Sequence, residues 1–187
     1  MKRIQIIIKK NLNIFFNKHI NLNINYISKY MPYKIEKIDY KNKKDNQLLE
    51  IILKNWFRNP KELNLTSPSM PYPFKYKKWL NLYNTNDEIY SFVMKSSNWV
   101  IGIGNLKILN DSKRCHAFHI FIDPDYRKQG LAAKIIRHLE KIGNSKGKKI
   151  MTLKAIEQNT AAISLYKKLN FIEQSLSKKT INFLKKI

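Results

Sequence analysis

Apolar positions recur along this chain at two spacings, and the switches between them mark its elements. Ala117-Phe118-His119-Ile120-Phe121-Ile122 is a mostly apolar run suited to a strand inside a sheet. Soon after it, Leu131, Ile135, Ile136, Leu139 and Ile142 recur at helical spacing, while Lys134, Arg137, His138 and Lys141 take the other face. The same reading predicts a strand over 33–39, a helix over 45–58, a loop rich in Pro and Ser through Pro60, Pro68, Pro71 and Pro73, and a helix over 76–83. Strands are predicted over 88–95, 99–109 and 149–155, a helix from Asn159, and short alternating segments over 171–176 and 180–184. This order describes one α/β domain with a mixed sheet and helices on both faces, without an internal repeat.

Between the run ending at Ile122 and the helix from Leu131 lies Asp123-Pro124-Asp125-Tyr126-Arg127-Lys128-Gln129-Gly130, a short turn that carries Arg127 and Lys128 next to its glycine. Unpaired N–H groups at a helix start point outward, and Gly130 lets a ligand approach the backbone with no Cβ in the way. A pyrophosphate suits such a place; an ordinary strand-to-helix connection with solvated Arg and Lys is the plainer reading of the turn alone. A second segment tips the balance. From Asn159, which can cap a helix, Ala162, Leu165, Tyr166 and Leu169 form an apolar face that ends at Asn170-Phe171.

Together, Arg127-x-x-Gly130-x-Ala132 and Asn159-x-x-Ala162-x-x-Leu165-Tyr166 followed by Leu169-Asn170-Phe171 resemble the GNAT superfamily of acyl-CoA-dependent N-acetyltransferases. Within it the motifs are most similar to the branch that acetylates ribosomal-protein N-termini. Asn170 stands where that family usually has glycine, a mild departure because a helix C′ position needs a left-handed residue and Asn tolerates it. The resemblance implies a single-domain fold with a mixed, mostly antiparallel twisted sheet over 31–187. It implies acetyl-CoA as cosubstrate, no metal, and transfer of the acetyl group to a primary amine, either a peptide N-terminus or a small molecule, by direct attack. Backbone groups of Arg127, Lys128, Gln129, Gly130, Leu131, Ala132 and Ala133 would hold the pyrophosphate. The strand edge at Ile120, Phe121 and Ile122 would pair with the pantetheine arm, and Asn159 would bond that arm or cap its helix. Tyr166 would act as general acid toward the leaving thiolate.

The base is less legible. The ribosomal-protein branch has a glutamate twelve residues before the tyrosine, and this chain has Lys154 there. His116 is the candidate put in its place, on the argument that it shares strand parity with Phe118, Ile120 and Ile122 while His119 points to the other face. Glu157 and water are the alternatives.

Composition changes little in this picture. The 187 residues include 36 Lys and Arg against 13 Asp and Glu, a formal net charge of +23. Such an excess raises nucleic acid, ribosomes or an anionic membrane as partners. The charge is dispersed and comes with abundant Asn and Ile, so a general lysine bias is the preferred explanation. A catalytically weak protein of the same fold that binds RNA or ribosomes through its basic surface is the alternative function. Cys115, the single cysteine, excludes an internal disulfide and any CxxC site, and places the chain in a reducing compartment such as the cytoplasm. No apolar run approaches bilayer-spanning length. Residues 1–30 hold basic residues and no acid, and read as an extension outside the core: an organellar leader, or upstream sequence with Met31 as the true start. Gly102-x-Gly104 lacks the third glycine of a dinucleotide fingerprint, Lys107 standing in its place, and reads as a bulge.

Overall fold

A computed structural model describes residues 33–85, 88–110, 112–177 and 179–187, without the side chains of Leu176 and Ser177; the basic leader and Asp87 lie outside the described residues. In chain order the elements are β1 (Tyr33–Ile38), α1 (Lys43–Trp56), α2 (Pro60–Thr66), α3 (Tyr76–Asn81), β2 (Glu88–Ser96), β3 (Trp99–Ile108), β4 (Arg114–Ile122), α4 (Leu131–Ser145), β5 (Ile150–Ile156), α5 (Thr160–Lys168), β6 (Ile172–Ser177) and β7 (Thr180–Lys186). A single turn of 3₁₀-helix, Pro124–Tyr126, precedes α4.

Local chemistry sets the helix ends. Asn42 caps α1, its side chain accepting from the amides of Lys44 at 2.9 Å and Asp45 at 3.2 Å. The stretch expected to be loop from Pro60 instead begins with α2. Asn59 accepts from the Lys61 amide at 2.9 Å, and Pro60 sits at the first helical position, where a missing N–H costs nothing. Proline there starts a helix, whereas the sequence pattern counted it as a breaker. At the end of α5, Asn170 adopts φ 64°, the Phe171 amide bonds to the Tyr166 carbonyl and the Asn170 amide to that of Lys167. That is the left-handed C′ geometry expected of a residue in glycine's place.

The strands form one sheet in the order β1-β2-β3-β4-β5-β7-β6. The pairs β2–β3, β3–β4, β5–β7 and β6–β7 run antiparallel, and β4–β5 runs parallel. Alternation along β3 puts helices on opposite faces. Gly102 and Gly104 face α4, where a Cβ on Gly104 would lie 2.3 Å from Ile135 Cγ2; the two glycines are there because the helix comes that close. Register shifts fall beside both of them, at Met94/Lys95 and at Ile103/Asn105. Ile103 faces the other way, into a core with Leu49, Leu53 and Trp56 of α1, Tyr76 and Trp79 of α3, and Phe121. Truncating Leu53, fully buried in that core, to Ala would cost about 2–5 kcal/mol. Cys115 is buried against Gly143 of α4, and burial pushes its thiol up to about 11, so it packs as a small inert side chain.

The decisive irregularity lies in the middle of the sheet. The parallel ladder of β4 and β5 runs only through Arg114↔Ile150, Cys115↔Met151 and His116↔Thr152. Beyond His116 the strands are unpaired with each other, which leaves the β5-facing edge of Ala117–Ile122 open.

Candidate active site

A cleft occupies that opening. Ala117, Phe118, His119 and Ile120 form its β4 side, and Lys154, Asn159, Ala162 and Tyr166 face them from β5 and α5. Leu65 and Thr66, at the end of α2, complete it. The cleft therefore joins three segments far apart in sequence.

At the end of β4 the chain turns into α4. Asp123 anchors the turn, accepting from the Trp56 indole at 2.9 Å and the Asp125 amide at 3.1 Å. Lys128 (φ 61°) and Gly130 (φ 73°) both take left-handed conformations, and a Cβ added at Gly130 would meet nothing within 4 Å. Gly130 provides no side-chain cap, so the first amides of α4, those of Leu131, Ala132 and Ala133, have neither intrahelical acceptors nor a cap. The positive end of the helix dipole adds to them, giving a seat for an anion. Arg127 is engaged elsewhere: its Nη2 lies 2.6 Å and its Nη1 3.1 Å from the Glu62 carboxylate on α2, and its Nε donates to the Ile122 carbonyl at 2.9 Å. Its guanidinium braces the turn against α2.

Asn159 uses both ends of its amide, Oδ1 accepting from the Ala162 amide at 3.2 Å and Nδ2 donating to the Leu65 carbonyl at 3.3 Å. The capping function assigned from sequence is present, and a tie to α2 comes with it. Tyr166 is buried with its ring against Phe171 and Phe183, and among the described residues its hydroxyl has no hydrogen-bond partner. Burial pushes its pKa up to about 12, so the phenol stays protonated through the neutral range.

The parity argument holds between His116 and Phe118, which pair with Lys107 and Asn105 and share a face, and fails beyond them. β4 carries a bulge, because Ile103 pairs with Phe121 and Asn105 with Phe118, leaving two residues opposite Gly104, and His119 has φ 46°. The inserted residue resets the alternation, so Phe118 and Phe121 share a face, His119 stacks on Trp79 at 4.2 Å on that same side, and Ile122 is turned toward α4. His119 lines the cleft; His116 sits at its base beside Thr152, outside the lining.

The Thr152 hydroxyl lies 2.9 Å from His116 Nδ1 and 3.2 Å from the Cys115 carbonyl. With its proton on the carbonyl, it accepts from Nδ1–H and Nε2 carries the lone pair. Burial, with Lys154 and Lys107 nearby, lowers the His116 pKa to about 4. Behind His119, the Trp79 indole donates to Tyr40 Oη at 3.1 Å, and the Tyr83 hydroxyl, on a ring 4.1 Å from that of Tyr40, lies 3.0 Å from His119 Nδ1. Where that hydroxyl donates, Nδ1 accepts and Nε2 keeps the ring's hydrogen. Ser67 Oγ and His138 Nε2 are the buried side-chain polar atoms without a partner among the described residues; His119 Nε2, on a ring that lines the cleft, is not one of them. Burial holds this imidazole neutral, its pKa lowered to about 3.

Sequence reasoning assigned Tyr166, Asn159 and the strand edge to one place, and the structure brings them together. It missed α2, the turned His119 and the Tyr83 hydroxyl beside it. Tyr40 and Tyr83 carried no legible signal, since a tyrosine at the end of an apolar segment is ordinary packing material. Glu157 is exposed and lies outside the cleft lining. Among the described residues no group of His, Cys, Asp and Glu could hold a metal ion.

Comparison with known proteins agrees with the geometry. The profile of the Acetyltransferase (GNAT) family matches residues 48–171. An uncharacterized N-acetyltransferase of Methanocaldococcus jannaschii is 26% identical over 131 residues, 62% of this chain and 55% of the relative. The ribosomal protein bS18-alanine N-acetyltransferase of Escherichia coli is 37% identical over 59 residues, 32% of this chain and 40% of the relative. The chain thus spans about half the length, or less, of the curated relatives it matches. Among solved structures, the PaiA N-acetyltransferase of Thermoplasma acidophilum in complex with coenzyme A superposes with a TM-score of 0.65 at 19% identity, over 84% of this chain and 100% of that one. The spermidine N-acetyltransferase of Vibrio cholerae, with CoA and spermine, gives 0.64 at 15% identity over 82% and 95%. At these identities the superpositions speak for the fold alone. Strand order, split sheet and profile match lead to one conclusion: this chain belongs to the GNAT family of acetyltransferases.

Proposed function

We propose that this protein transfers an acetyl group from acetyl-CoA to a primary amine, with residues 31–187 as the catalytic unit. The observation that carries this reading is the split between β4 and β5, with an open strand edge on one side, the Tyr166 hydroxyl on the other and an anion seat at the end of β4. Residues and chemistry fit the cosubstrate. The amides of Lys128–Ala133 hold the pyrophosphate, and the unpaired edge of Ile120–Ile122 offers backbone groups to the pantetheine arm. An N–H on that edge polarises the thioester carbonyl. The amine lone pair then forms the new N–C bond as the C–S bond breaks. The departing sulfur takes the Tyr166 proton, and the proton released by the nitrogen passes to water, which can relay it to His116 Nε2 outside the lining.

His116 is a modest base. A pKa near 4 leaves its lone pair free at neutral pH but makes it a weak proton acceptor, so an acceptor amine arriving as the free base is the better match. The single cysteine, buried as a free thiol, suits a reducing compartment such as the cytoplasm. The test is twofold: coenzyme A should raise the melting temperature of the purified protein, and acetyl-CoA with an amine panel should release free thiol. A protein that binds RNA but shows neither effect would reject the reading in favour of a non-catalytic one.

A further inference from the structure

Resting on the acetyl-transfer reading, we propose that the acceptor is an amine carrying a carboxylate a few bonds from its nitrogen, and that Lys154 and His119 Nε2–H seat that carboxylate. The cleft presents cationic and donating groups without an acid to match them. Its lining residues are Leu65, Thr66, Ala117–Ile120, Lys154, Asn159, Ala162 and Tyr166, none of them a carboxylate. Lys154 has no ion-pair or hydrogen-bond partner among the described residues, whereas Lys54, Lys95, Lys146, Lys167 and Lys185 each pair with a glutamate. Across from it, the Tyr83 hydroxyl lies 3.0 Å from His119 Nδ1, and by donating there it leaves Nε2–H as the ring's donor.

Lys154 is exposed, and with no acid in the lining around it the cleft favours one sign of charge. A polycationic acceptor meets a like charge there and leaves Lys154 unpaired, while a carboxylate meets an opposite charge and the His119 ring. The cosubstrate's phosphates are not the natural partner of Lys154. By the register His116↔Thr152, Lys154 comes level with Phe118, four residues before the end of β4 and on the order of 13 Å along the strand from it at ~3.3 Å per residue. The pyrophosphate seat lies beyond that end.

Two sources supply this chemistry: the α-carboxylate of a free amino acid, or an acidic side chain next to a peptide N-terminus. The experiment measures kcat/KM by thiol release for alanine against alaninamide, and for peptides beginning Ala-Asp, Ala-Asn and Ala-Lys, with spermidine as the cationic reference. We expect the carboxylate-bearing member of at least one pair to be favoured by about tenfold or more. Preference for alanine over its amide identifies the first source, and preference for Ala-Asp over Ala-Asn the second. Lys154→Glu should reverse the order through acceptor KM, Lys154→Arg should keep it, and His119→Gln should keep more of it than His119→Ala. KM for acetyl-CoA should be unmoved by Lys154→Glu. Equal rates within both pairs, an order unchanged by Lys154→Glu, or an effect confined to acetyl-CoA would each overturn the proposal. If no amine turns over, the acetyl-transfer reading falls separately; calorimetric binding of the same panel to the CoA-saturated protein still decides whether carboxylates are preferred.

Discussion

Arg127 and Glu62, sixty-five positions apart, are locked in a two-pronged ion pair, with Nη2 2.6 Å and Nη1 3.1 Å from the two carboxylate oxygens. The pair ties the turn after β4 to α2, whose last residues line the cleft. A forked pair with Glu62 mostly covered holds geometry better than a solvated one. Glu62→Gln should therefore loosen α2 and raise acceptor KM by several-fold, with a smaller effect on coenzyme A affinity. Steady-state kinetics in both substrates checks this, and a loss confined to coenzyme A would mean that Arg127 serves the phosphates instead.

Gly130 combines a left-handed φ with empty space around its missing Cβ. Gly130→Ala should fold with a penalty of about 1–2 kcal/mol from the left-handed backbone alone. Its larger effect should be on the ligand, shrinking the rise in melting temperature that saturating coenzyme A produces. Equal rises in variant and parent would remove the anion seat from the scheme.

Tyr166→Phe should keep coenzyme A binding and lower kcat by about tenfold or more, with the deficit shrinking for a donor whose thiol leaves more readily. With its pKa pushed up to about 12, the phenol does not titrate near neutrality. The ratio of variant to parent rates should consequently stay flat from pH 6 to 9. Parity in kcat would return Tyr166 to the packing role its contacts with Phe171 and Phe183 already give it.

The two β4 histidines should make the fold acid-sensitive. Their folded pKa values, about 4 for His116 and about 3 for His119, lie below the ordinary histidine value of 6.5. The unfolded chain therefore takes up protons first as pH falls. Stability is fully present above about pH 6.5 and is lost progressively as pH falls toward 4 and below. Melting temperatures from pH 7.5 to 4 should fall, and more gently for His119→Gln, which removes the larger shift. An unchanged slope in that variant would place the acid sensitivity elsewhere.

What was legible in the sequence is whatever depends on neighbours in the chain. Leu131, Ile135, Ile136 and Leu139 announce an amphipathic helix because 3.6 residues make a turn. Gly130 and Asn170 mark left-handed positions because few other residues tolerate them. The strand of Ala117–Ile122 and the Asn159 cap follow from equally local rules, and these carried the fold class and the motif pair.

The tertiary structure alone decided the cleft's chemistry. The bulge opposite Gly104 answers to α4 lying against β3, a contact between distant segments, and that one inserted residue turned His119 to the side expected for His116. Arg127 met Glu62, Trp79 met Tyr40 and Tyr83 met His119 because folding closed separations of 36 residues or more between them. Local periodicity tells which face a residue takes only while the period is unbroken. Breaks such as this bulge arise from packing, and packing is a property of the whole fold.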